Sequence, residues 1–269
     1  MSKYLIKGAS LYGEKVADIL IEDGVISRIA ENIDAADAQV VEAAGQVALP
    51  GLVDIHTHLR QPGYEASETV ETGTRAAALG GYTAVFAMAN SMPVADTAAV
   101  VEQVDRLGKE SAWCRVQPIG AVTVGLKGER LSDIGGMANS TANVRVFSDD
   151  GMCVYDPAVM RRALEYVKTF DGVIAQHAQE PRLTEGAQMN EGKVSADLGL
   201  TGWPAVAEEA IIARDVLLAE HLDSKLHICH LSTKGSIEVV RWAKSSGVKV
   251  TADATPHHLL LTDETSRTY

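Results

Sequence analysis

The chain has 269 residues, 46% of them hydrophobic and 22% charged, with a formal net charge of -12. This is enough chain for one large domain, or for a barrel with an appendage, and no apolar run approaches the roughly 18 to 20 residues of a membrane span. The acidic balance disfavours nonspecific contact with nucleic acid or anionic membrane. A local arginine can still hold a small anion, because a distant acidic surface is screened within about 10 Å.

The start, MSKYLIKGAS, lacks a basic segment leading into an apolar stretch with a small-residue cleavage site, so no secretory signal is expected and a cytoplasmic location follows. Cys114, Cys153 and Cys229 are far apart and form no CxxC pair, which suits a reducing compartment. Any metal here is expected to use histidine and carboxylate.

Residues 1–49 read as short strands with turns, Asp23-Gly24 marking a hairpin between two alternating apolar runs, and form a small β domain ending at Pro50-Gly51. From residue 50 to 269 apolar strands alternate with helical segments, the pattern of a parallel α/β sheet. Seven strands are expected: GLVDIHTH, TAVFAMAN, CRVQPIGAVT, NVRVFSDD, GVIAQHAQ, KLHICHLS and VKVTADATPHH. Between them ADTAAVVEQVDRLGKE has helical spacing. DPAVMRRALEYVKTF opens with Asp156 as N-cap and Pro157 in the first turn, and GWPAVAEEAIIARDVLLAEHL is the longest helix.

The repetition predicts a TIM-type (β/α)8 barrel lacking its last strand in this chain, which stops at LTDETSRTY soon after strand seven. An open doubly wound sheet is the alternative, but no GxGxxG or GxxxxGK[ST] follows any strand.

Titratable residues gather at the strand ends, where a barrel builds its active site. His56 and His58 close strand one, Asn90 strand two, Asp149 and Asp150 strand four, His177 strand five, His230 strand six, and His257 and His258 strand seven. His56 and His58 share a face because strand side chains alternate, so both can bind one ion. An isolated HxH is more often a pair of satisfied structural histidines, and Asp149-Asp150-Gly151 reads equally as a plain turn. Four strand ends each offering His or Asp shift the balance to a metal, and with His177 and His230 the four imidazoles suit zinc far better than magnesium or calcium.

His227 and Cys229 lie on the opposite parity to His230 and are expected to face the helices as structural residues. His221 reads as solvated. His257 and His258 read as lining the mouth of the site or as capping residues. No GxSxG elbow occurs, and no cysteine sits in a setting that suggests a thiolate nucleophile.

GLVDIHTHLRQPG resembles the metal signature of the amidohydrolase superfamily, and its HLRxPG continuation resembles the dihydroorotase family. AMANSMP, VFSDDG, QHAQE, ICHLST and ATPHHLLLTDE follow in the order of bacterial, aspartate-bridged dihydroorotases. Hydantoinases and allantoinases share the HxH pair but usually carry a carbamylated lysine on strand four, where VRVFSDD has none; Lys127 lies in the preceding loop.

The resemblance implies one or two zinc ions, with His56 and His58 on the first, His177 and His230 on the second, and a strand-four aspartate as bridge. Asp150 is the choice, by parity with Val144, Val146 and Ser148. Arg60 and Asn90 match the family's binders of the substrate carboxylate, the guanidinium suiting a planar carboxylate bidentately. The implied reaction interconverts dihydroorotate and N-carbamoyl-aspartate in pyrimidine biosynthesis, with zinc supplying hydroxide at neutral pH and polarising the amide carbonyl.

The family's proton-shuttling aspartate stands in a DHAPH-like motif on strand eight, beyond Tyr269, so no catalytic residue is assigned here. The expectation is a fragment with an open barrel edge and an exposed apolar seam, its own activity in doubt. A homodimer and a partner aspartate carbamoyltransferase are arrangements the resemblance admits. The competing readings are a noncatalytic subunit scaffolding that transcarbamoylase and a related hydantoinase or allantoinase.

Overall fold

A computed structural model describes residues 2–268, which form two compact units divided between Leu52 and Val53. The first is a twisted sheet of β1 (Lys3–Leu11), β2 (Lys15–Glu22), β3 (Val25–Ala30), β4 (Gln39–Glu42) and β5 (Val47–Ala48), ordered β3-β2-β1-β4 with β5 also on β1. The hairpin at Asp23-Gly24 forms, both residues taking positive φ (51° and 81°) between antiparallel β2 and β3. Leu5, Leu20 and Ile33 are its core, and the buried Asp18 carboxylate accepts the backbone N–H groups of Gly8 (2.9 Å) and Ile33 (3.0 Å).

The second unit runs β6 (Leu52–Thr57), α1 (Val70–Leu79), β7 (Tyr82–Ala87), α2 (Ala98–Ser111), β8 (Arg115–Pro118), α3 (Ile134–Asn139), β9 (Val146–Phe147), α4 (Pro157–Val167) and β10 (Val173–Gln176). It continues through β11 (Met189–Asn190), α5 (Lys193–Leu198), β12 (Gly202–Trp203), α6 (Val206–Leu222), β13 (Leu226–Ile228), α7 (Lys234–Ser245), β14 (Val250–Ala252) and α8 (Pro256–Leu260). Seven strands stand side by side in chain order. β6-β7-β8 form one run and β9-β10-β13-β14 another, joined by a parallel bridge between Gly120 and Phe147. The pairings from β9 to β14, and of β7 with β8, are parallel. The outer strands are β6 and β14. Val53 and Ile55 on β6 and Leu259 to Leu261 around α8 are exposed.

All seven expected strands form, as do the three expected helices. Asp156 caps α4 by accepting from Ala158 (2.7 Å) and Val159 (2.9 Å), with Pro157 beside it in the first turn. The longest helix starts later than its sequence suggests, because Pro204 restricts Trp203 to extended backbone and Gly202-Trp203 pairs with β11 instead.

Strand alternation divides the apolar residues. Phe147, Ile174, Leu226 and Ile228 pack outward with Met160, Leu164 and Ile212 of the helices, while Val146, Ala175 and Cys229 turn inward with Met88, Ile119 and Phe86. Among the described residues no helix is long and apolar enough to cross a membrane.

A buried ionic knot ties the segment after β9 to its neighbours. Asp215 on α6 is fully buried, pairs with Arg214 (2.6 Å) and accepts from Gln176 at the end of β10 (2.8 Å). Arg214 donates to the carbonyls of Val154 (2.8 Å) and Tyr155, and Gln176 donates to Val154 O (3.2 Å). Burial pushes the Asp215 carboxyl up to about 6 against the pull of Arg214. Between about pH 4 and 6 the native carboxyl therefore holds a proton that the unfolded chain has released, and this group makes stability fall as pH rises through that window. Asp215→Asn is expected to flatten that fall, measured as denaturant midpoints across the window. Arg214→Ala, which strands the buried carboxylate, is expected to cost about 3 to 5 kcal/mol near neutral pH. Unchanged midpoints in both variants would show that the knot is dispensable.

Candidate metal centre

The Asp150 carboxylate, just past β9, stands among imidazoles from three other strand ends. Asp150 Oδ1 is 3.3 Å from His56 Nε2, 3.4 Å from His177 Nδ1 and 3.2 Å from His230 Nε2, and Oδ2 is 3.3 Å from His58 Nε2. His177 Nδ1 and His230 Nε2 are themselves 3.1 Å apart. Burial alone would raise the Asp150 pKa, but the close imidazoles of His177, His230 and His56 outweigh it and hold the carboxyl far below the usual range.

Asp149, the other half of the pair, turns away. It accepts the backbone N–H groups of Val122 (2.7 Å) and Thr123 (3.0 Å) and the Thr123 hydroxyl, locking the end of β8 to that of β9.

The outer nitrogens fix the tautomers. His58 Nδ1 bonds to Asn90 Oδ1 (3.0 Å), an oxygen that only accepts, so Nδ1 carries the proton and Nε2 presents a lone pair to Asp150. His177 Nε2 likewise donates to Gln179 Oε1 (2.9 Å), leaving Nδ1 bare, and Gln179 is held by Thr184 (2.6 Å). Burial lowers the His58 pKa, with the Arg60 charge adding to the effect, whereas for His177 burial is overcome by Asp150 and Gln179 and the pKa rises. Arg60 is exposed at a positive φ of 59°, two residues beyond His58.

His230 takes φ 38°, a left-handed conformation that costs a residue with a Cβ. Asp253, just past β14, holds it there. One carboxylate oxygen accepts the His230 N–H and the other accepts from His227 Nε2 (3.0 Å), while the Ser232 hydroxyl donates to His230 O (2.7 Å). This turn corrects the expected facing of Cys229 and His227. Ile228 packs into the helix-side core, so alternation sends 227 and 229 the other way, and Cys229 joins the interior cluster. The left-handed step then breaks the alternation and lets His230 reach the interior as well.

His258 caps α8, accepting the Thr255 N–H at Nδ1 (3.2 Å) and donating from Nε2 to Ser232 (2.9 Å), while His221 is exposed. Because Nδ1 is the acceptor, His258 has no lone pair left to activate Ser232. A cavity of about 640 Å³ opens beside His177 and His230, lined further by Trp203, Ser232, His257 and His258.

The set fits a cation better than a hydrogen-bond network. Asp150 Oδ1 has two lone pairs yet faces three nitrogens, and two of the four inward nitrogens carry no proton to give it. Ligand atoms of His56, Asp150 and His230 lie within 4.8 Å of one another. Nitrogen and carboxylate donors of this kind suit zinc.

The family model described as Dihydro-orotase-like matches residues 45–236. The chain belongs to the dihydroorotase-like family. It is 70% identical to a dihydroorotase of Streptomyces coelicolor over all of this chain and 63% of that one, and 53% identical to one of Mycobacterium tuberculosis over 98% of this chain and 62% of that one. The chain thus spans about three fifths of the length of the curated relatives it matches. Among solved structures it resembles L-hydantoinase from Arthrobacter aurescens (TM-score 0.79, 20% identity, 98% of this chain and 60% of that one). It also resembles dihydropyrimidinase from Brevibacillus agri (TM-score 0.77, 22% identity, 96% and 58%). At those identities the likeness concerns the fold alone.

The Asp253 clamp gives a direct test. Asp253→Ala removes the acceptor for the His230 N–H, with an expected loss of about 1 to 3 kcal/mol in chemical denaturation. In that background His230→Gly is expected to recover part of the loss, since glycine takes positive φ without penalty. A full additive loss in the double variant would rule the clamp out.

Proposed function

We propose that this chain carries the zinc site and substrate-carboxylate site of a dihydroorotase, the enzyme that interconverts dihydroorotate and N-carbamoyl-aspartate in pyrimidine biosynthesis. The observation that carries the reading is the crowding of His56, His177 and His230 on one oxygen of Asp150, with His58 on the other. In this reading His56 and His58 would hold one ion and His177 and His230 a second, with the Asp150 carboxylate within reach of all four. Bound zinc would supply a nucleophile at neutral pH by lowering the pKa of water from 15.7 to about 7, and would polarise the amide carbonyl.

The chain's own residues position the reactants. Asn90 and Gln179 keep His58 and His177 in the tautomers that leave a lone pair facing inward. Arg60, exposed at the strand end, would bind the substrate carboxylate bidentately, and Asn90 retains an amide N–H to assist once its oxygen is used by His58. The neighbouring 640 Å³ cavity has the size of a small-molecule site. We assign proton transfer to the leaving nitrogen to none of the described residues. Residues 1–49 and 50–269 are proposed as the small β domain and the barrel domain with its strands one to seven.

We take the protein to act in the cytoplasm, where its free cysteines would stay reduced. A homodimer and an association with aspartate carbamoyltransferase follow from the resemblance alone.

The metal-stripped chain, dialysed against zinc, is expected to retain one or two ions, and Asp150→Ala to lose most of that binding. Gln179→Ala, which frees the His177 tautomer, is expected to weaken zinc by about 10- to 100-fold. Calorimetry of the zinc-loaded chain should show dihydroorotate binding in preference to hydantoin and allantoin, with the preference lost in Arg60→Met. A chain that retains no zinc, or an Arg60→Met variant with undiminished dihydroorotate affinity, contradicts the assignment.

A further inference from the structure

Two groups of side chains share His56. Its Nε2 faces Asp150, and its Nδ1 is buried without a hydrogen-bond partner among the described residues. Ligand atoms of His56, Cys229 and Asp253 also lie within 4.8 Å of one another, and the zinc reading leaves Cys229 and Asp253 unused. We propose that Cys229, Asp253 and His56 form a second metal site of softer character, which takes a thiophilic divalent ion such as cadmium.

The donors and their support argue for it. Cys229 is 1% exposed and sits in the interior cluster with Met88, Ile119 and Ala175, so its sulfur lies in dry, polarizable surroundings. A bound cation deprotonates a coordinating thiol outright. Asp253 is oriented from two sides, by the His230 N–H on one oxygen and by His227 on the other, and His227 is fixed in turn by Thr251 (2.8 Å). A ligating carboxylate is normally braced in this way, and each oxygen keeps a second lone pair for a cation. A sulfur, nitrogen and oxygen donor set selects soft or borderline ions and rejects magnesium and calcium.

On binding, the Cys229 S–H bond breaks, a sulfur–metal bond forms and the proton leaves to solvent, one per ion. Because His56 belongs to both groups, an ion held by Cys229 also competes with the Asp150 set. Only this competition rests on the zinc assignment.

The test titrates the metal-stripped full chain with cadmium and reads the sulfur-to-cadmium charge-transfer absorption together with proton release. The expected result is a band with one proton released per ion, retained in the Cys114→Ser/Cys153→Ser double variant and lost in Cys229→Ser and Cys229→Ala. The double variant keeps Cys229 as its one sulfhydryl, so it decides the matter even if the Cys229 variants fold poorly. Absence of the band there, or its persistence in either Cys229 variant, overturns the site. Asp150→Asn is expected to keep the band while losing zinc, which separates failure of this site from failure of the zinc reading.

Discussion

Everything at this end of the parallel sheet depends on one buried carboxylate. Taking an anion out of water is costly unless it is paired and hydrogen-bonded. Asp150 meets that requirement with imidazoles rather than with lysine or arginine. Those imidazoles come from β6, from the end of β10 and from the turn after β13, strands brought side by side only by the parallel order of the sheet. Had a guanidinium been placed there, the charge would be neutralised and no lone pair would remain for a cation. Imidazole satisfies the anion in part and keeps its capacity to bind a metal, which is why the same residues can be both structural and chemical.

The layer behind is made almost wholly of groups with their hydrogen-bonding capacity spoken for. Asn90 and Gln179 accept from the outer nitrogens of His58 and His177, Asp149 ties β9 to β8, and Gln176, Arg214 and Asp215 hold the segment that follows Asp150. Fully satisfied buried networks of this kind rigidify what they surround. The positions of Asp150 and His177 are thereby set by residues within two places in sequence of the side chain each steadies: Asp149 beside Asp150, Gln176 and Gln179 around His177.

What could be read in the sequence follows this division. The seven strands and the gathering of His56, His58, Asp150, His177 and His230 were legible because each lies at the end of an apolar run, where strand periodicity and barrel logic agree. Residues whose role is set by a distant partner were not. Nothing in the text of TADATP singles out Asp253, and nothing in HAQE tells that Gln179 orders a tautomer. Alternation also misplaced Cys229, because it assumes an unbroken strand and β13 ends at Ile228. The start of α6 was read too early for a comparable reason, since Trp203 and Gly202 pair with a two-residue strand that no local pattern announces.

The left-handed turn at His230 has a further chemical consequence. In a regular strand Cys229 and His230 would point to opposite faces, and the interior would hold an imidazole or a thiol but not both. With φ at 38° both reach inward, and Asp253, which holds the turn, adds a carboxylate to the sulfur side of the group. Alternation therefore supplies the thiol near His56, and the backbone distortion adds the imidazole that crowds Asp150. For ions that bind nitrogen and oxygen the Asp150 side offers more donors, and for ions that prefer sulfur the Cys229 side offers the better one. Which group His56 joins is then decided by the softness of the ion rather than by a change in the protein.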